Sequence, residues 1–230
     1  MIDYRVEGRA AWITINRSDK GNAFTSAMVR GLRDGLRKAE GRIDVLVLQG
    51  AGKDFTLGRD REEPKSGSPF DAFSLITELN QSFADFSGIV VSGVRGRAYG
   101  LGVGLVMRSD LSIAGQSATF MLDEVKLGIP PMFIMAAIFD HLAPKKALDA
   151  ILTSREFSAA EALDVGILSR VVADADLDEA MAVLVDELLS RDRDVLLACK
   201  RYAKSVVTTP PAARPAFALV EQTQFALSKH

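Results

Sequence analysis

Residues 90–131 read VVSGVRGRAYGLGVGLVMRSDLSIAGQSATFMLDEVKLGIPP. The run Ile89-Val90-Val91 has the continuous apolarity of a buried strand. A glycine-rich turn follows, with Gly96, Gly100, Gly102 and Gly104, and Leu105-Val106-Met107 continues it as a helix. Glycines between a strand and a helix let the backbone come close to a ligand. The first free N–H groups of the helix, with the positive end of its dipole behind them, then face that ligand. Such a place stabilises a negatively charged oxygen. Further on, Glu124 stands in an otherwise apolar run. Backbone donors plus one carboxylate in an apolar site suit proton transfer beside a carbonyl.

The rest of the chain narrows the options. With 48% hydrophobic and 25% charged residues in 230, it has the balance of a soluble globular protein with a substantial core. A net charge of -2 gives no electrostatic case for nucleic acid. Cys199 is the only cysteine, which excludes an internal disulfide and a cysteine metal cluster. His141 and His230 are the only histidines, so no His-rich zinc site is expected and no metal is assigned. No apolar run is long enough to span a bilayer. The N-terminal MIDYRVEGRAAW lacks the order of a signal peptide. The expected location is therefore cytoplasmic.

Upstream of the glycine turn, Asp3–Glu7 and Ala11–Ile15 alternate around Gly8-Arg9 as a hairpin. Thr25 or Ser26 caps a helix whose apolar stripe is Met28, Leu32, Leu36 and Ala39. Ile43–Leu48 reads as a strand buried on both faces. It ends in the loop Gly50-Ala51-Gly52-Lys53-Asp54-Phe55. The segment 61–68 is charged and rich in Gly, Pro and Ser, and is expected to be a mobile surface loop, with Asp60, Glu62 and Glu63 solvated. Phe73, Ile76, Leu79, Phe83 and Phe86 suit a helix. Downstream, Asp110–Ala114 and Ala118–Met121 are strands, and the chain is mostly helical from Phe133. Ser158 with Glu161 signals a capped helix, Ile167–Val171 a short strand and Leu177–Leu189 an amphipathic helix. Pro210, Pro211 and Pro215 interrupt the C-terminal stretch.

Strands alternating with helices imply right-handed βαβ units, an order that serves many functions. A dinucleotide fingerprint is excluded because Gly102 and Gly104 lack a third glycine at the required offset. A phosphate loop at Gly50-Ala51-Gly52-Lys53 lacks the earlier glycine and has Asp54 where Ser or Thr belongs.

Taken in order, five segments resemble the crotonase family, the enoyl-CoA hydratase/isomerase superfamily. Ile15-Asn16-Arg17 with Asn22-Ala23-Phe24 is similar to its N-R-P…N-A-L. The run from Gly50 to Asp60 is similar to G-A-G-K-x-F-C-A-G-x-D. Val94 to Gly102 resembles V-N-G-x-A-x-G-G-G. Ala118-Thr119-Phe120 with Glu124 to Gly128 resembles A-x-F-x-x-P-E-x-x-L-G. Phe157 to Ala162 with Gly166-Ile167-Leu168 resembles I-S-A-E-E-A…G-L-V. Each is weak alone; their order and spacing over roughly 4–205 are not.

The resemblance implies an α/β fold, a crotonase-like spiral of repeated ββα units over 1–190. A C-terminal helical trimerisation region would occupy 191–230, shortened relative to the family. It implies a homo-trimer or dimer of trimers, an acyl-CoA thioester as substrate, and no cofactor beyond the coenzyme A of that substrate. Carried over by position, the backbone N–H groups of Arg59 and Leu101 form an oxyanion hole and Glu124 is the catalytic carboxylate. Lys20, Asn22, Ala23, Phe24, Leu57, Gly58, Asp60 and Gly100 are substrate- and CoA-binding positions. The family usually has glycine where Leu101 stands, so the Leu101 side chain must point away from the thioester.

Two departures bear on the reaction. Hydratases of the family carry a second glutamate where this chain has Gly104, a residue costing about 0.5–1 kcal/mol in a helix interior relative to Ala. Hydration is best served by two carboxylates, whereas one can shuttle a proton between carbons. Isomerase-like chemistry is therefore favoured over hydration, and a glycine at 104 also leaves room for a bulkier acyl group. The second departure is the end of the chain at Lys229-His230, where the family usually adds a further helix. Hydratase, lyase or hydrolase activity on the same scaffold remains open, as does a catalytically degenerate acyl-CoA-binding protein.

Overall fold

The computed structural model describes residues 1–64 and 67–229. The chain opens as a hairpin, β1 (Ile2–Glu7) antiparallel to β2 (Ala10–Ile15), with Gly8 in the left-handed region at the turn. Helix α1 (Ser26–Ala39) starts where the Thr25 side chain accepts the N–H of Met28, and buries the stripe containing Met28, Leu32, Leu36 and Ala39. Strand β3 (Val45–Gly50), helix α2 (Pro69–Asp85) and strand β4 (Ile89–Val94) follow. After β4 come the short strand β5 (Arg97–Tyr99) and helix α3 (Leu101–Arg108), then β6 (Leu111–Gly115) and β7 (Thr119–Met121). The remainder is α4 (Met132–His141), α5 (Pro144–Thr153), β8 (Phe157–Ser158), α6 (Ala159–Asp164), β9 (Arg170–Val172), α7 (Leu177–Leu189), α8 (Arg193–Val206) and α9 (Arg214–Ser228).

The strands form two sheets. The six-stranded one runs β1-β2-β3-β4-β6-β9, parallel from β2 onward; the three-stranded one runs β5-β7-β8. Successive turns of chain feed one strand to each: β4 then β5, β6 then β7. Isolated parallel bridges Thr56–Ala98 and Phe24–Arg59 carry the second layer back to the two earlier turns. This is the expected spiral, built as a stack of parallel crossovers.

Continuous apolarity in β3 and β4 has the expected cause. Leu46, Leu48, Val90 and Val94 face the core under α1 and α2, while Val45, Val47, Ile89 and Val91 pack with Leu177, Met181 and Leu184 of α7. Helix α8 is pinned to the sheet by the buried Lys200, whose Nζ donates to Gly88 O at 2.5 Å and pairs with Asp110 at 2.7 Å.

Three local readings need correction. Ile167 and Leu168 bury into the core ahead of β9, so their apolarity marks a packed turn rather than strand. Pro215 lies in the first turn of α9, where its missing N–H has no helical acceptor anyway, so it starts this helix instead of interrupting it. In the stretch 61–68, residues 65 and 66 lie outside the described residues, as does His230, but Glu63 is anchored. Its carboxylate accepts the N–H of Ser26 at 2.8 Å, at the start of α1, and pairs with Arg59 at 3.1 Å. The positive helix end and the guanidinium together draw it out of solvent. No described helix is long and apolar enough to cross a membrane.

Candidate functional site

Two backbone segments from different turns of the spiral are clasped together. Thr56 N–H donates to Arg97 O at 3.0 Å, and Tyr99 N–H donates to Thr56 O at 2.9 Å. The fully buried Thr56 hydroxyl donates to Asn22 O at 2.7 Å and accepts the N–H of Gly58 at 3.1 Å. Gly58 is left-handed, with φ +85°, and a Cβ there would fall 2.9 Å from Tyr99 O. Only glycine allows both the conformation and the approach. The clasp holds Gly58-Arg59 beside Tyr99-Gly100-Leu101.

Flanking bonds leave two donors unspent. Phe24 N–H donates to Gly58 O and Asp60 N–H to Phe24 O, each at 2.8 Å, and these skip the N–H of Arg59. Gly100 N–H donates to Met121 O at 2.8 Å; Leu101 is then the first residue of α3, so its N–H has no helical acceptor. Among the described residues neither the Arg59 nor the Leu101 N–H has a partner. The Leu101 side chain packs against the main core.

Glu124 faces the same place. It precedes a turn of 3-10 helix over Val125–Leu127 that closes at left-handed Gly128. A Cβ on Gly100 would lie 2.8 Å from Glu124 Oε1, so glycine at 100 is what lets the carboxylate reach the Gly100–Leu101 peptide. Glu124 Oε2 is buried and has no partner among the described residues. Burial pushes the Glu124 carboxyl up to about 6; the neighbouring Asp123 charge adds to the rise, while its own backbone N–H and Arg61 oppose it. Asp123 is itself nearly buried and paired with Arg61, two residues the sequence did not single out.

The other anticipated positions divide. Lys20 is exposed and pairs with Glu62 at 3.0 Å. Ala23 and Leu57 are half-buried beside it in sequence and fold, and Asp60 pairs with Arg17 at 2.6 Å instead of standing in solvent. Asn22 and Phe24 have no exposed surface. The Asn22 amide donates to Ala51 O and Asp54 O and accepts the N–H of Arg17, so it staples the loop and offers nothing to a ligand. Both side chains are scaffold in this structure. The Arg59 side chain is half-buried, and its Nη1 is sealed without a partner among the described residues.

The space expected at Gly104 is not empty. Arg108 folds back along α3, donating from Nη1 to Gly104 O at 2.9 Å and from Nη2 to Phe133 O at 3.0 Å. Its position one turn past Gly104 was readable from helical spacing, but nothing in the sequence says which way so long a side chain turns.

The profile of the enoyl-CoA hydratase/isomerase family matches residues 6–225. The chain belongs to this family. It is 35% identical over 182 residues, 76% of this chain and 70% of the other, to a Mycobacterium leprae protein assigned as an enoyl-CoA hydratase. It is 29% identical over 214 residues, 88% of this chain and 78% of the other, to the hydroxycinnamoyl-CoA hydratase-lyase of Pseudomonas fluorescens. In fold it matches a Thermobifida fusca protein assigned as an enoyl-CoA hydratase and solved in complex with CoA. That match has a TM-score of 0.90 at 26% identity and covers 100% of this chain and 95% of the other.

Proposed function

We propose that this family member acts on an acyl-CoA thioester and moves a proton through Glu124 alone, with double-bond isomerisation as its favoured reaction. One observation carries the reading: a half-buried carboxylate, its Oε2 sealed without a partner among the described residues and its pKa pushed up to about 6, lies against the Gly100–Leu101 peptide, whose N–H is unspent. A thioester oxygen seated on the Arg59 and Leu101 N–H groups would present its neighbouring carbon to Glu124. The carboxylate takes a proton from carbon 2 of a 3-enoyl thioester. The electron pair spreads into a dienolate whose oxyanion the two N–H groups stabilise, a contribution of a few kcal/mol per donor, about 3. The Glu124 carboxylic acid then returns the proton to carbon 4, giving the conjugated 2-enoyl thioester. A pKa near 6 suits both halves: the group is ionised at neutral pH, yet holds a proton well enough to deliver it.

A second reading is hydration, alone or coupled to a lyase step, which the names of the relatives favour. One carboxylate would then have to orient the water as well as deliver the proton. The two readings part in heavy water. With a 3-enoyl-CoA, isomerisation predicts deuterium incorporation and formation of the 2-enoyl thioester, both lost in Glu124→Gln. Efficient 3-hydroxyacyl-CoA formation from a 2-enoyl-CoA with no isomerisation would favour the second. Tight binding without exchange on any acyl-CoA would make the protein a binder.

A further inference from the structure

Arg108 is a charge without a counter-charge. Every other half-buried arginine among the described residues, from Arg17 on Asp60 to Arg193 on Asp44, lies within 4.0 Å of a carboxylate. The Arg108 guanidinium touches two neutral carbonyl oxygens, Gly104 O and Phe133 O. Around it are the Gly104 backbone and Ile134, whose Cγ1 lies 3.7 Å from where a Cβ on Gly104 would stand. Burial pushes its pKa below the ordinary value, and no acid opposes the effect. A cation in such surroundings is costly until it is paired. Two of its five N–H donors are used, which leaves a fork suited to a carboxylate.

Its place in the fold sets that fork beside the bare Gly104 backbone, beyond the free N–H of Leu101. Gly104 lies three residues past Leu101, whose free N–H is beside the Glu124 carboxylate, and Arg108 lies one turn further on. Folded back over Gly104, the guanidinium stands about one helical turn, ~5 Å, beyond that N–H. A thioester carbonyl at the N–H and an anion at the guanidinium are therefore separated by the length of a short acyl chain.

We propose that Arg108 determines acyl specificity, and that the preferred substrates are short-chain acyl-CoA thioesters whose acyl chain ends in a carboxylate. The proposal rests on the acyl-CoA reading above. It goes beyond it by naming the chemistry at the far end of the chain.

Equilibrium binding tests it without requiring turnover. Glutaryl-CoA and its carboxamide-ended analogue would be titrated calorimetrically into the wild-type protein, Arg108→Gln and Arg108→Lys. The wild type is expected to bind the carboxylate at least about tenfold tighter than the amide, as one charge-assisted hydrogen-bond pair supplies. In Arg108→Gln the ratio of the two affinities should fall toward one, with Arg108→Lys between. Equal wild-type affinities would overturn the proposal even if neither variant folded, and would leave the acyl-CoA reading intact. Parallel weakening of both ligands in Arg108→Gln, with the ratio kept, would also overturn it and make Arg108 a strap between α3 and α4. Failure of the wild type to bind either ester would overturn both readings.

Discussion

The guanidinium of Arg108 stands where a side chain on Gly104 would have to grow: its Nη1 lies 3.2 Å from the position a Cβ would take. A glutamate introduced at 104 therefore meets a cation before it meets water.

Gly104→Glu alone should give little or no hydratase activity, because the new carboxylate is captured by Arg108. The double variant Gly104→Glu with Arg108→Ala frees it, and should hydrate a 2-enoyl-CoA at least about tenfold faster than the single variant. Initial rates of 3-hydroxyacyl-CoA formation for the two variants check this. Equal rates would mean that the missing second carboxylate is not what limits hydration.

The pH profile of kcat/KM should rise with unit slope through about pH 6 and level above it, as Glu124 becomes the ionised base. The rate of deuterium exchange beside the thioester, measured from pH 5 to 8, reads this directly. In Glu124→Gln exchange should fall by about 10²–10⁴ and the remaining rate should lose the inflection.

Stability carries the same signature with opposite sign. The Glu124 carboxyl is raised from 4.5 to about 6 in the folded protein, so folding favours its neutral form. The stability it contributes is full below about pH 4.5 and is lost as pH rises through 6, by up to about 2 kcal/mol. That figure is an upper bound, since part of the carboxylate keeps its water. Denaturant melts at pH 4.5 and 7 should show the difference between wild type and Glu124→Gln moving in favour of the variant at the higher pH.

Thr56→Val tests the clasp. Valine keeps the shape but leaves Asn22 O and Gly58 N–H without their hydroxyl partner, a cost of about 1–3 kcal/mol in stability. The Arg59 donor is then less well aimed, and kcat should fall more than KM rises. Steady-state kinetics with one substrate at saturating and limiting concentration separates the two.

Most of the fold was legible because its signals are local and periodic. The apolar stripe of α1, the unbroken apolarity of β3 and β4 and the Ser158–Glu161 capping box each follow from spacing alone. The pairing of Gly58-Arg59 with Tyr99-Leu101 was legible only through resemblance, since nothing local links segments some forty residues apart. Three features could not be read. Asn22 sits in a polar turn, and its burial comes from three backbone partners that no pattern announces. Glu63 looks like part of a charged loop until the end of α1 is placed beside it. Arg108 closes an apolar helix the way many surface arginines do, and its inward fold depends on Phe133 of another helix.

The Thr56 clasp divides labour along the chain. The segments that aim the two donors, 56–59 and 98–101, are tied to each other, to Asn22 and to the sheet, while the distal end is bounded by the back of α3 and the start of α4. On the proposed reading, substitutions at 104, 108, 133 or 134 alter what an acyl chain meets without loosening the clasp that holds Arg59 and Leu101 in place. In a lineage carrying this arrangement, substrate preference can drift while the proposed enolate chemistry stays put, and sequence divergence should gather around Arg108 first.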